Sequence, residues 1–142
     1  MCLDILNTYR DLGLLILRIG IGFMFVLHGY PKITGGPEFW AQIGAATSFV
    51  GINFTPVFFG FMAALSEFGG GICLMLGLWF RPACLLMTIT MAVAAAMHLG
   101  KGDDLVKGAS HAVEMGFVFF SLFFIGPGLY SLDEKLKKTF RK

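Results

Sequence analysis

Six ionisable side chains fall within or at the edges of long apolar runs: Arg18, His28, Glu67, His98, His111 and Glu114. A titratable group at bilayer depth is costly, so each marks a candidate site that needs a partner. Three imidazoles and a carboxylate at one height could ligate a transition metal, and a pair of imidazoles could hold a haem. The same set could instead hydrogen-bond a quinone headgroup and exchange its protons. No two of the six stand in a tight ligand motif such as HExxH, so their spacing alone leaves metal, haem and quinone all open. His98 and His111 flank the polar segment "GKGDDLVKG", so a solvated helix end is an equal alternative for those two.

Glu67 stands just before Gly69, Gly70 and Gly71. At about 100° per residue, Gly60, Ala63, Ala64, Gly71 and Leu74 share its side of a helix. The acid therefore lies on a stripe of small residues that turns it toward a bundle interior. Gly22, Phe25 and Gly29 share a face with Arg18 in the same way. Counting rise from the inner boundary puts Arg18 roughly 9 Å and Glu67 roughly 17 Å deep, so an Arg18–Glu67 contact is expected. The alternative is that Arg18 snorkels to the interface and Glu67 carries a proton. His28, His98 and His111 are expected near the opposite surface, with Glu114 one turn inward of His111 and on its face.

The remaining polarizable groups read as packing. Met87, Met91 and Met97 run toward His98 but commonly fill apolar gaps, which outweighs a copper-handling role. "FVFFSLFF" reads as packing and lipid contact, with Ser121 below Glu114. Cys2, Cys73 and Cys84 make an odd count without CxxC spacing, so neither a disulfide framework nor a dithiol relay is indicated.

The elements that must position these residues follow from composition. The chain has 142 residues, of which 56% are hydrophobic and 14% charged, against about 25% charged in a soluble domain. Mean hydropathy is +0.76. The class is integral membrane, and a net charge of +2 argues against a nucleic-acid partner. A hydrocarbon core of roughly 30 Å needs about 20 apolar residues. Four runs come close, at about 11–30, 55–80, 82–99 and 109–130, and all should be helices because lipid satisfies no open backbone.

Arg18 and the following Tyr30-Pro31-Lys32 make the first run an uncleaved span, not a signal peptide. Phe80-Arg81-Pro82 forces a tight hairpin between the second and third spans, and "GKGDDLVKG" is a polar turn between the third and fourth. Phe39, Trp40, Ile43 and Val50 recur at helical spacing between spans one and two, which predicts a short interfacial helix.

With the N-terminus inside, Arg10, Arg81, Lys135, Lys137, Lys138, Arg141 and Lys142 face the cytoplasm, against Lys32, Lys101 and Lys107 outside. That asymmetry gives N-in/C-in. The tail "KLKKTFRK" should lie on anionic lipid. The expected fold is thus all-α, an integral membrane four-helix bundle forming one domain over 1–142.

From "LLILRIGIGFMFVLHGYPK" through "SEFGGGICLMLGLWFRPA" and the Glu114 segment to "GPGLYSLD", the chain resembles the DoxX family of small four-span proteins of the bacterial inner membrane. The resemblance marks Arg18, His28, Gly29, Lys32, Glu67, Gly70, Gly71, Gly77, Arg81, Glu114, Gly126, Pro127, Gly128 and Asp133 as motif positions. It implies association with quinone-linked oxidoreductase systems, sulfur or thiol chemistry and oxidative stress, with any catalytic subunit a separate polypeptide. Haem or metal becomes less favoured than quinone only with that implication. The expected function is a subunit or accessory of such a system, with a cavity between the helices opening outward beneath the surface helix. In it His28 and Glu114 would contact the headgroup, and Glu67 with Arg18 would form the floor. The alternatives are a binder of lipid or another small hydrophobic molecule, and an assembly factor without chemistry. A homo-oligomer is compatible with all three.

Overall fold

The computed structural model describes residues 8–140, so Cys2, Arg141 and Lys142 lie outside the described residues. Helix α1 covers Arg10–Thr34, α2 Gly36–Gly44, α3 Pro56–Leu76, α4 Phe80–Gly100, α5 Ser110–Ile125 and α6 Leu132–Phe140. A 3-10 helix, Ala45–Val50, follows α2, and one π-helical turn, Leu105–Ala109, leads into α5. Helices α1, α3, α4 and the Leu105–Ile125 stretch are long and apolar enough to cross a bilayer. The architecture is the expected all-α four-span bundle with a short helix between spans one and two.

Several boundaries differ from expectation, each for a local reason. The turn between the second and third spans is not Phe80-Arg81-Pro82 but residues 77–79, because Gly77 takes φ +62° directly after Leu76 and α4 already runs from Phe80. Helix α1 does not stop at Tyr30: Pro31 sits inside it and the helix continues to Thr34. Proline is tolerated there because a spanning helix has neighbours to re-satisfy the freed carbonyl. The fourth span begins earlier, because the Asp104 carboxylate accepts from the N–H groups of Val106 (2.9 Å) and Lys107 (3.0 Å) and starts the helix inside the supposed turn. It ends at Ile125, because Gly126 takes φ +83° and ψ −178°, a conformation that suits only glycine. Beyond it α6 is a helix with Leu132, Leu136 and Phe140 set among Lys135, Lys137 and Lys138.

The helices pack α1 on α3, α2 on α3, α3 on α4 and α4 on α5. Glycine decides how closely α1 and α3 approach. A Cβ on Gly22 would come within 2.6 Å of the Gly71 carbonyl oxygen, and one on Gly29 within 2.4 Å of the Phe68 nitrogen. These two contacts make the pair antiparallel and fix its register. Between the helices Phe25, Leu74, Phe80, Cys84, Met87, Met91, Phe119 and Leu122 form a closed apolar core. The centre of the bundle is therefore filled, and the cavity described below lies to one side of it.

Candidate functional site

The register of α1 on α3 determines which charges can meet. With Gly22 against Gly71 and Gly29 against Phe68, Arg18 lies opposite Met75 and the last turn of α1 lies opposite Glu67. Met75 is eight residues, or about 12 Å, along α3 from Glu67. The expected Arg18–Glu67 contact does not form for that reason. Glu67 is held instead by Lys32, whose Nζ sits 2.6 Å from both Oε1 and Oε2.

The Glu67 side chain is 6% exposed and that of Lys32 31%, so the pair has one buried and one accessible member. Trp40 fixes the Lys32 backbone by donating its indole N–H to the Lys32 carbonyl at 2.8 Å, and its ring packs edge-on against Phe61. Helix α2 is held tightly enough to do this because a Cβ on Gly60 would fall 1.7 Å from the Trp40 carbonyl oxygen. Only glycine lets the short helix lie directly on the start of α3.

The Lys32–Glu67 pair forms one wall of a cavity of about 370 Å³ between α2 with its 3-10 extension, α3 and α4. Gln42, Thr47, Ser66, Thr90 and His98 add polar groups, and Phe59, Met62, Leu86, Ile89, Val93 and Met97 give it apolar walls. His98 is oriented by Asp103, whose carboxylate lies 2.7 Å from Nδ1. With Nδ1 given to Asp103, Nε2 is left for a second partner. Lys32 has three N–H donors, two of which its carboxylate partner can take, leaving one for another acceptor. Below these groups the Thr90 hydroxyl donates to the Ser66 hydroxyl at 3.0 Å.

Arg18 does different work at the other end of the bundle. It is 1% exposed, and its guanidinium donates to the carbonyl of Tyr130 at 3.0 Å, to that of Met75 at 3.4 Å and to that of Pro127. Its charge also lies over the Phe80 ring, 5.8 Å from the centroid. Around it, Asp133 accepts from the backbone N–H groups of Trp79 and Phe80, both at 3.0 Å, and so caps α4. Asp11 accepts from Leu129 N–H at 2.9 Å. Gly77, at φ +62°, closes the turn where a Cβ would strike Ser131 at 2.5 Å. These contacts bind "GPGLYSLD" to α1 and to the α3–α4 hairpin.

The remaining candidates sit on a third face. His28 and His111 have ring centroids 6.0 Å apart, and both lie about 6.3 Å from Phe25. They line a groove of about 230 Å³ with Met24 and Met115 at the α1–α5 seam. His28, His111 and Glu114 are exposed on the outside of the bundle, and no hydrogen bond or ion pair joins Glu114 to His111 among the described residues. The expected gathering of His28, His98, His111 and Glu114 thus divides. His98 joins Glu67 while the other three remain across the filled core, and no three His, Cys, Asp or Glu among the described residues are close enough to share a metal.

Lys32 is the site residue missed as a partner. The spacing 18-22-25-29-32 continues the Arg18 face of α1, and that periodicity carries the signal once Pro31 is not read as the end of the helix.

The same segments carry the likeness to known proteins. The DoxX family profile matches residues 13–99, which include Arg18, Lys32, Glu67 and His98. An uncharacterised protein of Haemophilus influenzae is 33% identical over 94% of this chain and 97% of its own. Inner membrane protein YqjF of Escherichia coli is 29% identical over 94% of this chain and 98% of its own, and inner membrane protein YphA of the same organism is 27% identical over 89% and 91%. No solved structure matches the chain. With most of its length matched by the family, four spanning helices and inner-membrane relatives covering nearly all of it, the chain belongs to the DoxX family and is a multi-pass protein of the bacterial inner membrane.

Proposed function

We propose that the protein binds a quinone-type small molecule in the cavity beneath α2 and serves as an accessory subunit of a quinone-linked oxidoreductase system. The observation that carries this is the Lys32–Glu67 pair, buried on one side and open to an apolar-walled cavity on the other. Ligand sites are typically mostly apolar with a few convergent polar groups, in volumes of roughly 300–1,000 Å³. A quinone presents carbonyl acceptors, which the spare Lys32 N–H can serve. Its reduced form presents hydroxyl donors, which His98 Nε2 and the outer lone pairs of Glu67 can accept. With the N-terminus inside, as the Lys and Arg distribution favours, the cavity opens in the outer half of the membrane.

Removing a charge-assisted hydrogen bond costs about 1.5–3 kcal/mol, or roughly 10–100-fold in affinity. Purified protein in lipid nanodiscs is expected to bind a tailless dimethoxy-methyl-benzoquinone saturably, read by thermal shift. Glu67→Gln and Lys32→Met should each weaken that binding about tenfold or more. Equal binding by wild type and both variants would remove the proposal.

The apolar walls also favour a second reading, in which the occupant is a lipid or another small hydrophobic molecule and no redox partner exists. Mass spectrometry of ligand extracted from purified protein separates the two, because a quinone has a distinctive mass and ultraviolet spectrum and an acyl lipid does not.

A further inference from the structure

The headgroup cavity does not end at Ser66. A second hollow of about 250 Å³ continues along the α3–α4 seam, lined by Leu65, Gly69, Gly70, Cys73, Trp79 and Ala83 among others. Met62, Ser66 and Leu86 line both hollows, so the two adjoin. The chemistry changes sharply across that junction. Above it stand Lys32, Glu67, His98, Gln42 and the Thr90 hydroxyl, and below it Ser66 supplies the last side-chain hydroxyl. From His98 to Pro82 the run covers sixteen residue steps of α4, or about 24 Å, most of a hydrocarbon core of roughly 30 Å.

Two adjacent glycines form the lower groove. A Cβ on Gly70 would meet Met87 Sδ at 2.8 Å, so this glycine sets how closely α3 and α4 approach. Gly69, one position round the helix, has nothing nearer than Leu65 Cδ1 at 3.4 Å, so its missing side chain leaves the groove open. The groove is open laterally as well, because Leu65, Leu86 and Trp79 on its rim are 42%, 45% and 73% exposed. A ligand can therefore enter from the bilayer.

We infer that the two hollows form one site for an amphiphile with a single hydrogen-bonding head and a single long apolar tail, the head at Lys32–Glu67 and the tail in the Gly69 groove. The inference rests on the headgroup proposal above and adds the class of ligand. A polyprenyl quinone and a single-chain acyl amphiphile share this chemistry, and a tailless polar solute lacks it. Gly69 is the residue that selects for the tail.

The test compares wild type, Gly69→Ala and Gly69→Leu in lipid nanodiscs. Three probes are used: a tailless dimethoxy-methyl-benzoquinone, the same ring with a decyl tail, and oleate. Partitioning into the nanodisc lipid is the same for every variant, so ratios between variants report the groove alone. Both substitutions replace a mid-helix glycine with a better helix former. Gly69→Leu is expected to weaken the tailed quinone at least tenfold, Gly69→Ala about threefold, and neither to change the tailless probe by more than twofold.

Competition of oleate with the decyl quinone on wild type assigns the tail site to acyl as well as prenyl chains, and its absence assigns the site to the quinone, either result keeping the tail groove. Should Gly69→Leu also lose the tailless probe, Gly69→Ala alone decides, by the same threefold loss. Equal binding of the tailed quinone to wild type and the deciding variant overturns the tail groove while leaving the headgroup site standing. No saturable binding of either quinone to wild type overturns both.

Discussion

The two ends of the bundle each engage a cation of α1, one buried and one partly accessible, and they use it in opposite ways. At the Arg18 end the planar guanidinium is spent on backbone: the carbonyls of Met75, Pro127 and Tyr130 take its donors, and Phe80 covers its face. Those carbonyls close the last turn of α3 and the segment after α5, where no intrahelical partner is available, so the charge stands in for missing helix. At the Lys32 end the cation meets one carboxylate beside a cavity, and part of its surface stays accessible. Arg18 gives its terminal nitrogens to the fold and buries its Nε without a partner among the described residues, away from that cavity, whereas a cation beside a cavity with a donor to spare can recognise something else.

That contrast sets the size of what substitution should do. Arg18→Met strands three carbonyls in the low-dielectric interior and should cost about 3–5 kcal/mol, seen as a large drop in melting temperature or loss from the membrane fraction. Arg18→Lys should recover less than half of it, because an ammonium cannot span carbonyls from two segments as the guanidinium fork does. A melting temperature for Arg18→Met within a few degrees of wild type would erase the distinction between the ends.

Lys32→Met and Glu67→Gln should each cost less, about 1–2 kcal/mol, because the partly exposed lysine softens the penalty of breaking the pair. Asp133→Asn keeps the shape of the α4 cap but loses its charge and one acceptor, and should cost about 1 kcal/mol in the same melting assay. The smallest effect is expected across the core. His28→Phe and His111→Phe should leave quinone affinity within twofold of wild type, and a tenfold loss in either would move the site to the α1–α5 seam.

Much of this arrangement is legible in the sequence, and the failures have physical causes. Hydropathy finds all four spans because twenty-residue apolar runs have no other stable form in lipid. The stripe of small residues on α3 correctly turns Glu67 inward, since Gly60 and Gly71 are where α2 and α1 press against α3. The partner of Glu67 is not recoverable from depth alone. Arg18 and Glu67 look close along the membrane normal, yet Gly22 and Gly29 lock a register that sends each to someone else.

Arg18's partners are backbone carbonyls, which every residue has and no composition signals. Helix α6 did have a signal: Ser131 and Glu134 stand in capping-box spacing ahead of Leu136, and the Ser131 hydroxyl accepts from Glu134 N–H at 3.3 Å. The gathering of histidines failed because topology brings helix ends to one surface without saying which side of the core each side chain takes.

The central claim is that the Lys32–Glu67 pair exists to meet a ligand and not to hold the helices. The double substitution Lys32→Met with Glu67→Leu tests it most directly, since replacing an ion pair by apolar side chains of similar size is often neutral or stabilising. In lipid nanodiscs the account predicts a melting temperature at or above that of wild type together with at least tenfold weaker binding of the tailless quinone. A double variant that binds the quinone as well as wild type, or that fails to fold while Arg18→Met remains stable, would contradict it.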